Sequence, residues 1–305
     1  MVSRVASSST ILRVRTHAKL NLFLRIAGRH PDGYHELESI FHGIDLADEI
    51  QFMPTSTKGV DVEMRLGEGL RGELPTATDN LVARSAEVLV ERGGRNPGIK
   101  ITILKRIPIA AGLGGGSGNA AGALVTLSEM WEMGLEKEDL LQTAGSVGSD
   151  VPYCIDGGTI LATKRGEKLT PLPAPEKLWF VIGISFTPLL TKEVYDRWDE
   201  LDRPSQANSS PMVLALGGGD VAEIASFLHN DLEVAAIDLH PGLKAQKERL
   251  LAAGALGASV TGSGPTLFGL CRDEGHAREV ATKVEDDFDE VLVTSSFPTC
   301  VERIP

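Results

Sequence analysis

The segment Ala111–Asn119, which reads AGLGGGSGN, contains five glycines within seven residues. Ordering a glycine costs about 0.5–1 kcal/mol more than ordering an alanine, so an ordered run of this kind indicates a function. Apolar side chains then recur at helical spacing: Ala120, Ala123, Leu124, Leu127, Met130 and Trp131. The run therefore opens a helix, where unpaired N–H groups and the helix dipole favour a di- or triphosphate. A flexible turn is the alternative interpretation.

Three better-known glycine motifs do not fit this run. A P-loop needs Gly-Lys before Ser or Thr, and the chain contains no Gly-Lys pair. The third glycine of a dinucleotide-binding motif would fall on Ser117 or Asn119, and a nucleophile elbow would need glycine at Asn119. Ser117 is instead a candidate hydroxyl ligand for a phosphate or a metal ion, and Asn119 is a candidate N-cap of the helix.

The remaining patterns mix strands and helices. Residues alternate in polarity from Lys19 to Ile26, which predicts a strand with Leu20, Leu22, Leu24 and Ile26 on one face. Asp79 is placed to cap a helix that runs to about Arg92. A second glycine loop, Thr261–Gly264, lies between two apolar strand pieces. Because there is no regular βαβ alternation, the sequence favours an α+β fold over a doubly wound sheet.

Chain length and a proline-rich stretch predict two domains. At about 150 residues per domain, 305 residues correspond to two. Prolines cluster in the stretch Pro171–Pro175, which predicts a boundary between residues 1–170 and 171–305.

Composition excludes several classes of partner. The net charge is −12 and no Lys/Arg-rich run is present, so nucleic acid is not an expected partner. The weakly polar run Leu178–Leu190 is shorter than the roughly 20 residues that span a bilayer, so no membrane partner is expected. The three cysteines have neither zinc-site nor redox spacing, which favours a reducing cytoplasm.

Three motifs occur together and carry a family resemblance. They are AKLNL at Ala18–Leu22, the glycine-rich segment Pro108–Ala121, and Val260–Phe268. With these motifs the chain resembles the galactokinase, homoserine kinase, mevalonate kinase and phosphomevalonate kinase superfamily. The segments DGYHELESIF (Asp32–Phe41) and GSDVPY (Gly148–Tyr153) are similar to one branch, which phosphorylates a cytidine diphosphate-linked polyol in the non-mevalonate route to isoprenoids.

The resemblance implies a two-lobed small-molecule kinase that uses ATP with Mg²⁺. Its N-terminal lobe is expected to resemble the second domain of ribosomal protein S5, and its C-terminal lobe an α/β sandwich. A small-molecule acceptor and a monomer or weak homodimer are also implied. The chain departs from the usual motif at Gly118, where Ser or Ala is common, and at His17, where Pro is common.

The same resemblance assigns roles to residues. Asp150 matches the proposed catalytic base, and Lys19 matches the catalytic lysine that would pair with it and hold it ionised. Residues matched to ATP binding are Pro108, Ile109, Ala110, Ala111, Gly112, Leu113, Gly114, Gly115, Gly116, Ser117 and Gly118. Residues matched to the acceptor are Asn21, Tyr34, His35 and Thr191, and the supporting glycine loop contributes Gly262, Ser263 and Gly264. No metal ligand is assigned.

From the residues alone, two of these roles have ordinary alternatives. Asp150 could be a turn or cap residue, because Asp is common in turns. Lys19 could be a solvated side chain on an outward strand face. At the level of the whole protein, another small-molecule kinase of the superfamily or a non-catalytic nucleotide-binding regulator are the competing functions.

Overall fold

The structure is a computed structural model that describes residues 10–29, 35–76, 79–93, 98–164, 166–175 and 177–305. Its strands are β1 (Leu12–Arg29), β2 (His35–Pro54), β3 (Val60–Leu66), β4 (Ile99–Lys105), β5 (Thr159–Lys164), β6 (Lys168–Pro171), β7 (Trp179–Ile184), β8 (His229–Asn230), β9 (Gly257–Val260), β10 (Leu267–Cys271), β11 (Glu290–Ser295) and β12 (Val301–Ile304). Its helices are α1 (Leu81–Gly93), α2 (Gly115–Met130), α3 (Lys137–Val147), α4 (Val151–Asp156), α5 (Thr191–Leu201), α6 (Ser210–Gly218), α7 (Val221–Ser226), α8 (Glu233–Leu239), α9 (Gly242–Ala253) and α10 (Glu274–Val284), with one 3₁₀ turn at Glu285–Asp287.

The long antiparallel pair β1 and β2 is the centre of the larger sheet, whose strand order is β12-β1-β2-β4-β3. Strand β5 also pairs with β2 and carries β6, and β8 pairs in parallel with β1. Helices α1 to α4 bury the sheet through a core that includes Phe52, Leu89, Ile101, Leu124 and Tyr153. Strand β12 comes from the end of the chain, so the larger sheet joins segments from both halves of the sequence.

The smaller sheet is antiparallel, with strand order β11-β7-β10-β9. One of its faces shares a core with β1, in which Leu20 and Leu22 pack with Phe180 and Phe268. Helices α5, α8, α9 and α10 cover a further core that contains Trp198, Leu250 and Val280. The mixed helix and sheet architecture confirms the α+β prediction. Among the described helices, none has the length and apolarity needed to cross a membrane.

Three local predictions from the sequence are wrong: the strict alternation in β1 and two helix caps. A β-bulge between Asn21 and Phe23 shifts the register of β1, so strict alternation fails: Phe23 joins the core of Leu20 and Leu22. Leu24 and Ile26 pack instead in the core beside α5. This fits the physics of a bulge, since one extra residue re-aims the side chains that follow it.

Two predicted helix caps are also wrong. Helix α1 begins at Leu81, and the cap is the Asn80 side chain, which accepts the N–H of Val82 at 2.9 Å. Asp79 accepts a hydrogen bond from the Thr76 hydroxyl instead. Asn119 lies inside α2 and is buried, so it caps nothing; its amide bonds to side chains beneath the helix.

His42 on β2 makes stability depend on pH. Complete burial lowers the pKa of His42 from 6.5 to about 4, and both ring nitrogens meet hydroxyls, those of Thr159 and Ser296, at 2.8 Å. Between pH 6.5 and about pH 4, His42 is therefore protonated in the unfolded chain but neutral in the folded chain. Acidification across this range favours the unfolded state. We expect the free energy of unfolding to fall across this window by up to about 3 kcal/mol from this group.

Urea unfolding at pH 7.5, 5.5 and 4.5 would measure the effect, with His42→Gln as the non-titrating variant. The variant should be less stable than the wild type at pH 7.5 but should lose less further stability on acidification. An equal loss in both proteins would show that protonation of His42 is not the cause.

Candidate active site

The first glycine loop, Pro108–Gly118, connects β4 to the start of α2. Gly112 and Gly114 have φ values of 72° and 73°, a left-handed conformation that side-chain-bearing residues rarely adopt. The N–H of Gly118 bonds to the Gly114 carbonyl at 2.8 Å, the first bond of the helix. The N–H groups of Gly115, Gly116 and Ser117 precede that bond and open the helix, so three backbone donors are available to an anion.

The second glycine loop, Thr261–Gly264, packs directly against the first. The Thr261 hydroxyl donates to the Gly112 carbonyl at 3.3 Å, and a Cβ placed on Gly112 would overlap the Thr261 carbonyl oxygen. Gly262 has φ 58° and would itself approach the Gly112 backbone at 3.2 Å if it carried a Cβ. Glycine is thus required on both sides of this contact, and the two loops act as one unit.

Lys19 on β1 lies beneath the first loop, with its side chain only 4% exposed. Its ammonium donates to the Asn21 carboxamide oxygen at 2.7 Å and to the Gly112 carbonyl at 3.0 Å. The stem of the lysine passes Gly114, where a Cβ would come within 2.9 Å of its Cγ. The solvated-face interpretation of Lys19 is therefore wrong, because the charge is buried and directed at the loop.

Asp150 meets the same lysine, with its Oδ2 3.5 Å from the Lys19 ammonium and its side chain 35% exposed. It stands at the N-cap position of α4, yet its side chain makes no capping hydrogen bond. The carboxylate is thus free of the ordinary structural role of an aspartate at a helix start. A carboxylate that is ion-paired on one side and open to solvent on the other can accept a proton from a bound hydroxyl.

Asn21 joins the lysine to the second loop. Its carboxamide oxygen accepts from Lys19 and from the N–H of Gly262 at 2.9 Å, and its amide donates to the Ser39 hydroxyl at 2.8 Å. The Thr261 hydroxyl also accepts the N–H of Asn21 at 3.2 Å. Both groups of the amide are engaged by the protein, so the described contacts make Asn21 a fixed support of Lys19.

Two of the residues predicted to bind the acceptor meet at α5: His35 contacts this helix, and Thr191 begins it. His35 Nε2 is 2.7 Å from Asp199 Oδ1, and the rings of His35 and Tyr195 are 5.0 Å apart. Thr191, at the start of the same helix, shares a hydrogen bond with Ser263 at 3.1 Å between their hydroxyl oxygens. Tyr34 lies outside the described residues.

Tyr195 packs against His35 and is within electrostatic range of Asp150. Burial raises the pKa of Tyr195 well above 10, and the negative charge of Asp150 adds to the increase. Helix α5 therefore connects the second glycine loop, which Thr191 contacts, to His35, which Asp199 contacts. Neither Tyr195 nor Asp199 could be predicted as a neighbour of His35, because both lie far along the chain from it and outside the motifs.

Sequence reasoning also missed a buried polar cluster under α2. The ammonium of Lys105 pairs with Asp48 and donates to the Asn119 carboxamide oxygen at 3.2 Å. Asp48 Oδ1 accepts the N–H groups of Arg106 and Ile107 at 2.7 and 2.9 Å. These bonds hold the chain entering the first glycine loop. The sequence did contain a signal for the burial of Lys105. In the alternating strand β4, Lys105 falls on the same buried face as Ile99, Ile101 and Ile103.

Comparisons with known proteins identify the family of this site. The GHMP kinases N terminal domain matches residues 80–158, and GHMP kinases C terminal matches residues 212–290. The chain is 41% identical over 288 residues to the 4-diphosphocytidyl-2-C-methyl-D-erythritol kinase of Pelotomaculum thermopropionicum, covering 94% of this chain and 98% of that protein. The chain belongs to the 4-diphosphocytidyl-2-C-methyl-D-erythritol kinase family.

Two further comparisons agree with membership of the 4-diphosphocytidyl-2-C-methyl-D-erythritol kinase family. The Gloeobacter violaceus kinase of that name is 40% identical over 88% of this chain and 88% of its own length. A crystal structure of 4-(cytidine 5'-diphospho)-2C-methyl-D-erythritol kinase superposes with a TM-score of 0.76 at 29% identity, covering 93% of this chain and 98% of that one. The family resemblance and the kinase fold are thereby confirmed, and with them a phosphotransferase acting on an alcohol group.

Proposed function

We propose that this chain transfers the γ-phosphoryl group of ATP to the 2-hydroxyl of 4-diphosphocytidyl-2-C-methyl-D-erythritol. In this proposal Asp150 accepts the hydroxyl proton, and Lys19 offsets negative charge at the reacting oxygens. The products are ADP and the 2-phosphate of the acceptor. The names of the relatives support the identity of the substrate, and the arrangement of Lys19, Asp150 and the two glycine loops supports the residue roles.

The observation that carries the proposal is the meeting of Lys19 and Asp150 beside the start of α2. Phosphoryl transfer needs little covalent work from the protein beyond positioning, charge stabilisation and a group that takes the proton. The two glycine loops supply backbone donors, Lys19 supplies a fixed buried cation, and Asp150 supplies the acceptor of the proton. A buried cation at this site attracts negative charge on the reacting oxygens more strongly than it would in water, because the local dielectric constant is low.

Asn21 and Thr261 support this reaction without touching the substrate in the proposal. Lys19 donates to Asn21, and Thr261 contacts both Asn21 and Gly112. Any movement of the second loop would therefore displace the lysine. We assign Asn21 a positioning role rather than direct contact with the acceptor.

ATP and Mg²⁺ fit the residues present. Gly114 and Gly115 leave no room for side chains, because added Cβ atoms would come within 2.9 Å of the Lys19 and Ile107 side chains. Glycine at these positions lets a phosphate approach the backbone N–H groups. The described residues contain no cluster of three or more His, Cys, Asp or Glu able to hold a metal. Mg²⁺ commonly keeps several waters and binds through phosphates and one or two protein oxygens. The Ser117 hydroxyl would supply one of these, and the ion would neutralise phosphate charge.

The acceptor is assigned to the side of the cleft formed by α5 and the β1–β2 hairpin. His35 and Thr191 lie on this side, and Tyr34 directly precedes His35 in the sequence. An aromatic ring stacked on a base contributes about 1–3 kcal/mol to binding. We propose that Tyr34 and His35 recognise the cytosine.

The buried thiols of Cys154, Cys271 and Cys300 support a reducing, cytoplasmic setting.

Coupled ADP release tests the proposed function. The purified protein, ATP and Mg²⁺ would be offered 4-diphosphocytidyl-2-C-methyl-D-erythritol, mevalonate, homoserine or galactose in parallel. We expect turnover with the first acceptor alone. Turnover with another acceptor would keep the phosphate loops and discard the cytidine assignment. ATP binding without turnover of any acceptor would contradict the proposal and favour a regulator.

A further inference from the structure

A buried side-chain amide joins strand β8 to the second glycine loop. Asn230 is 6% exposed, and its NH₂ group donates to the carbonyl oxygens of Val260 and Gly262, both at 2.8 Å. Its carboxamide oxygen accepts the N–H of Leu232 at 2.9 Å, just before α8. Only the NH₂ group can donate to two carbonyls, so these partners determine the orientation of the amide.

Strand β8 holds Asn230 against the long strand β1. Asn230 is the register partner of Leu24, whose carbonyl accepts the N–H of Asp231 at 2.9 Å. The Asp231 carboxylate in turn accepts the N–H of Ile26 at 2.7 Å. Strand β1 also carries the lysine of the proposed reaction centre. Asn230 therefore ties the second glycine loop to the same strand that positions this lysine.

The peptide between Gly262 and Ser263 has its carbonyl oxygen on Asn230. In a trans peptide the C=O and the N–H point in opposite directions, so the Ser263 N–H points away from Asn230. Gly262 packs against the backbone of Gly112, and the Ser263 hydroxyl is 3.1 Å from the Thr191 hydroxyl. This peptide therefore lies between the first glycine loop and the start of α5.

The Ser263 N–H has no hydrogen-bond partner among the residues that the structure describes, although Ser263 is only 7% exposed. The N–H groups of the other loop residues, Thr261, Gly262 and Gly264, all bond to protein oxygens at 2.9 to 3.0 Å. An unpaired donor at so buried a position costs free energy and calls for an explanation. An acceptor atom supplied by a bound substrate is the explanation that fits a loop at the reaction centre.

We propose that Asn230 is a positioning residue that fixes the Gly262–Ser263 peptide, so that the Ser263 N–H donates to a phosphate oxygen of the bound substrates. Hydrogen bonds from a backbone N–H to an oxyanion are stronger than those to a neutral oxygen. Two phosphates meet this requirement, the γ-phosphoryl group of ATP and the diphosphate of the acceptor. The inference rests on the proposed function, because both belong to its substrates.

The first test is Asn230→Asp at pH 8, measured by coupled ADP release and by calorimetry. Aspartate has nearly the same shape and keeps an oxygen for the Leu232 N–H, but its carboxylate cannot donate to Val260 or Gly262. The peptide then loses its fixed orientation. We expect kcat/KM for the acceptor to fall by about 10²-fold, the lower end of the effect of losing one oxyanion donor.

The same measurements identify which phosphate receives the hydrogen bond. A lower kcat with unchanged Kd values for ATP and the acceptor would assign the donor to the transferred phosphoryl group. A weaker Kd for the acceptor would assign it to the diphosphate of the acceptor. Either result supports the inference, whereas kcat/KM within about threefold of the wild type would overturn it.

Asn208→Asp is the matched control. Asn208 also accepts the N–H two residues further on, that of Ser210 at 2.9 Å, and in the described structure it makes no hydrogen bond to either glycine loop. This variant should keep the kcat/KM of the wild type. Equal losses in Asn208→Asp and Asn230→Asp would overturn the inference, because the effect would then not depend on the loop.

The second test uses the wild type and so does not depend on the folding of a variant. Proton–nitrogen NMR would follow the Ser263 amide as one of three ligands is added: Mg²⁺ with ADP, Mg²⁺ with the β,γ-imido analogue of ATP, or the acceptor alone. A hydrogen bond to a phosphate oxygen moves an amide proton downfield. We expect this shift with the imido analogue but not with ADP, or with the acceptor. No downfield shift with either would overturn the inference.

These outcomes separate the inference from the proposed function. A wild type that phosphorylates none of the offered acceptors would overturn the proposed function, while the Ser263 amide shift would still decide the role of the loop. Wild-type turnover together with an unchanged kcat/KM in Asn230→Asp would leave the proposed function standing and overturn the inference.

Discussion

Asp150→Asn is expected to lower kcat by about 10²–10⁴-fold, the range that a positioned proton acceptor contributes. Asparagine has nearly the same shape as aspartate, so Lys19 keeps a neighbour, but the carboxamide cannot take the proton of the attacking hydroxyl. ATP affinity should stay within a few-fold of the wild type. The physical reason is that Asp150 belongs to the start of α4, whereas the phosphate donors belong to the start of α2.

Steady-state ADP release would give kcat, and calorimetry would give the Kd of ATP. Asp156→Asn is the matched control, since Asp156 ends the same short helix and pairs with Lys137 at 2.7 Å. The control should retain full turnover. If Asp150→Asn kept kcat within about tenfold of the wild type, a group other than Asp150 would have to accept the proton.

The sequence predicted the parts of the site that are carried by local patterns. The glycine run opens α2 because small residues and a following apolar period are both visible in one dimension. Alternation in β1 puts Lys19 and Asn21 on the strand face opposite Leu20 and Leu22, and the 2.7 Å hydrogen bond between their side chains agrees with this. The α+β class followed from mixed strands and helices.

Other parts depend on contacts that no local pattern reveals. His35 and Asp199 are 164 positions apart, and only the packing of α5 on the hairpin brings them together. The bulge after Asn21 could not be predicted from alternation, because the bulge is what interrupts it. The residues around Asp48 do not predict that it is buried. Its charge can be buried because Lys105 pairs with it and the Asn119 amide donates a hydrogen bond to it. The division at residues 170 and 171 stays a prediction.

The contact between the two glycine loops supports the second large-effect prediction, made for Gly112→Ala. The new methyl group would overlap the Thr261 carbonyl, and alanine would have to adopt φ near 72°. The strained backbone and the overpacking together should cost about 2–5 kcal/mol of stability. Relief requires the loops to separate, which would move the Gly112 carbonyl from Lys19 and misplace the phosphate donors. ATP should bind at least about tenfold more weakly.

Gly118→Ala tests whether this loss comes from the loop contact rather than from alanine in a glycine-rich segment. Gly118 lies within α2, and its Cβ would meet the nearest atom, the His17 carbonyl oxygen, at 3.4 Å, an ordinary contact. Alanine is a better helix former than glycine, so this variant should gain about 0.5–1 kcal/mol of stability. Urea unfolding and ATP calorimetry on both variants give the comparison. Equal effects of the two substitutions would refute the interlocked-loop account, because only Gly112 faces Thr261.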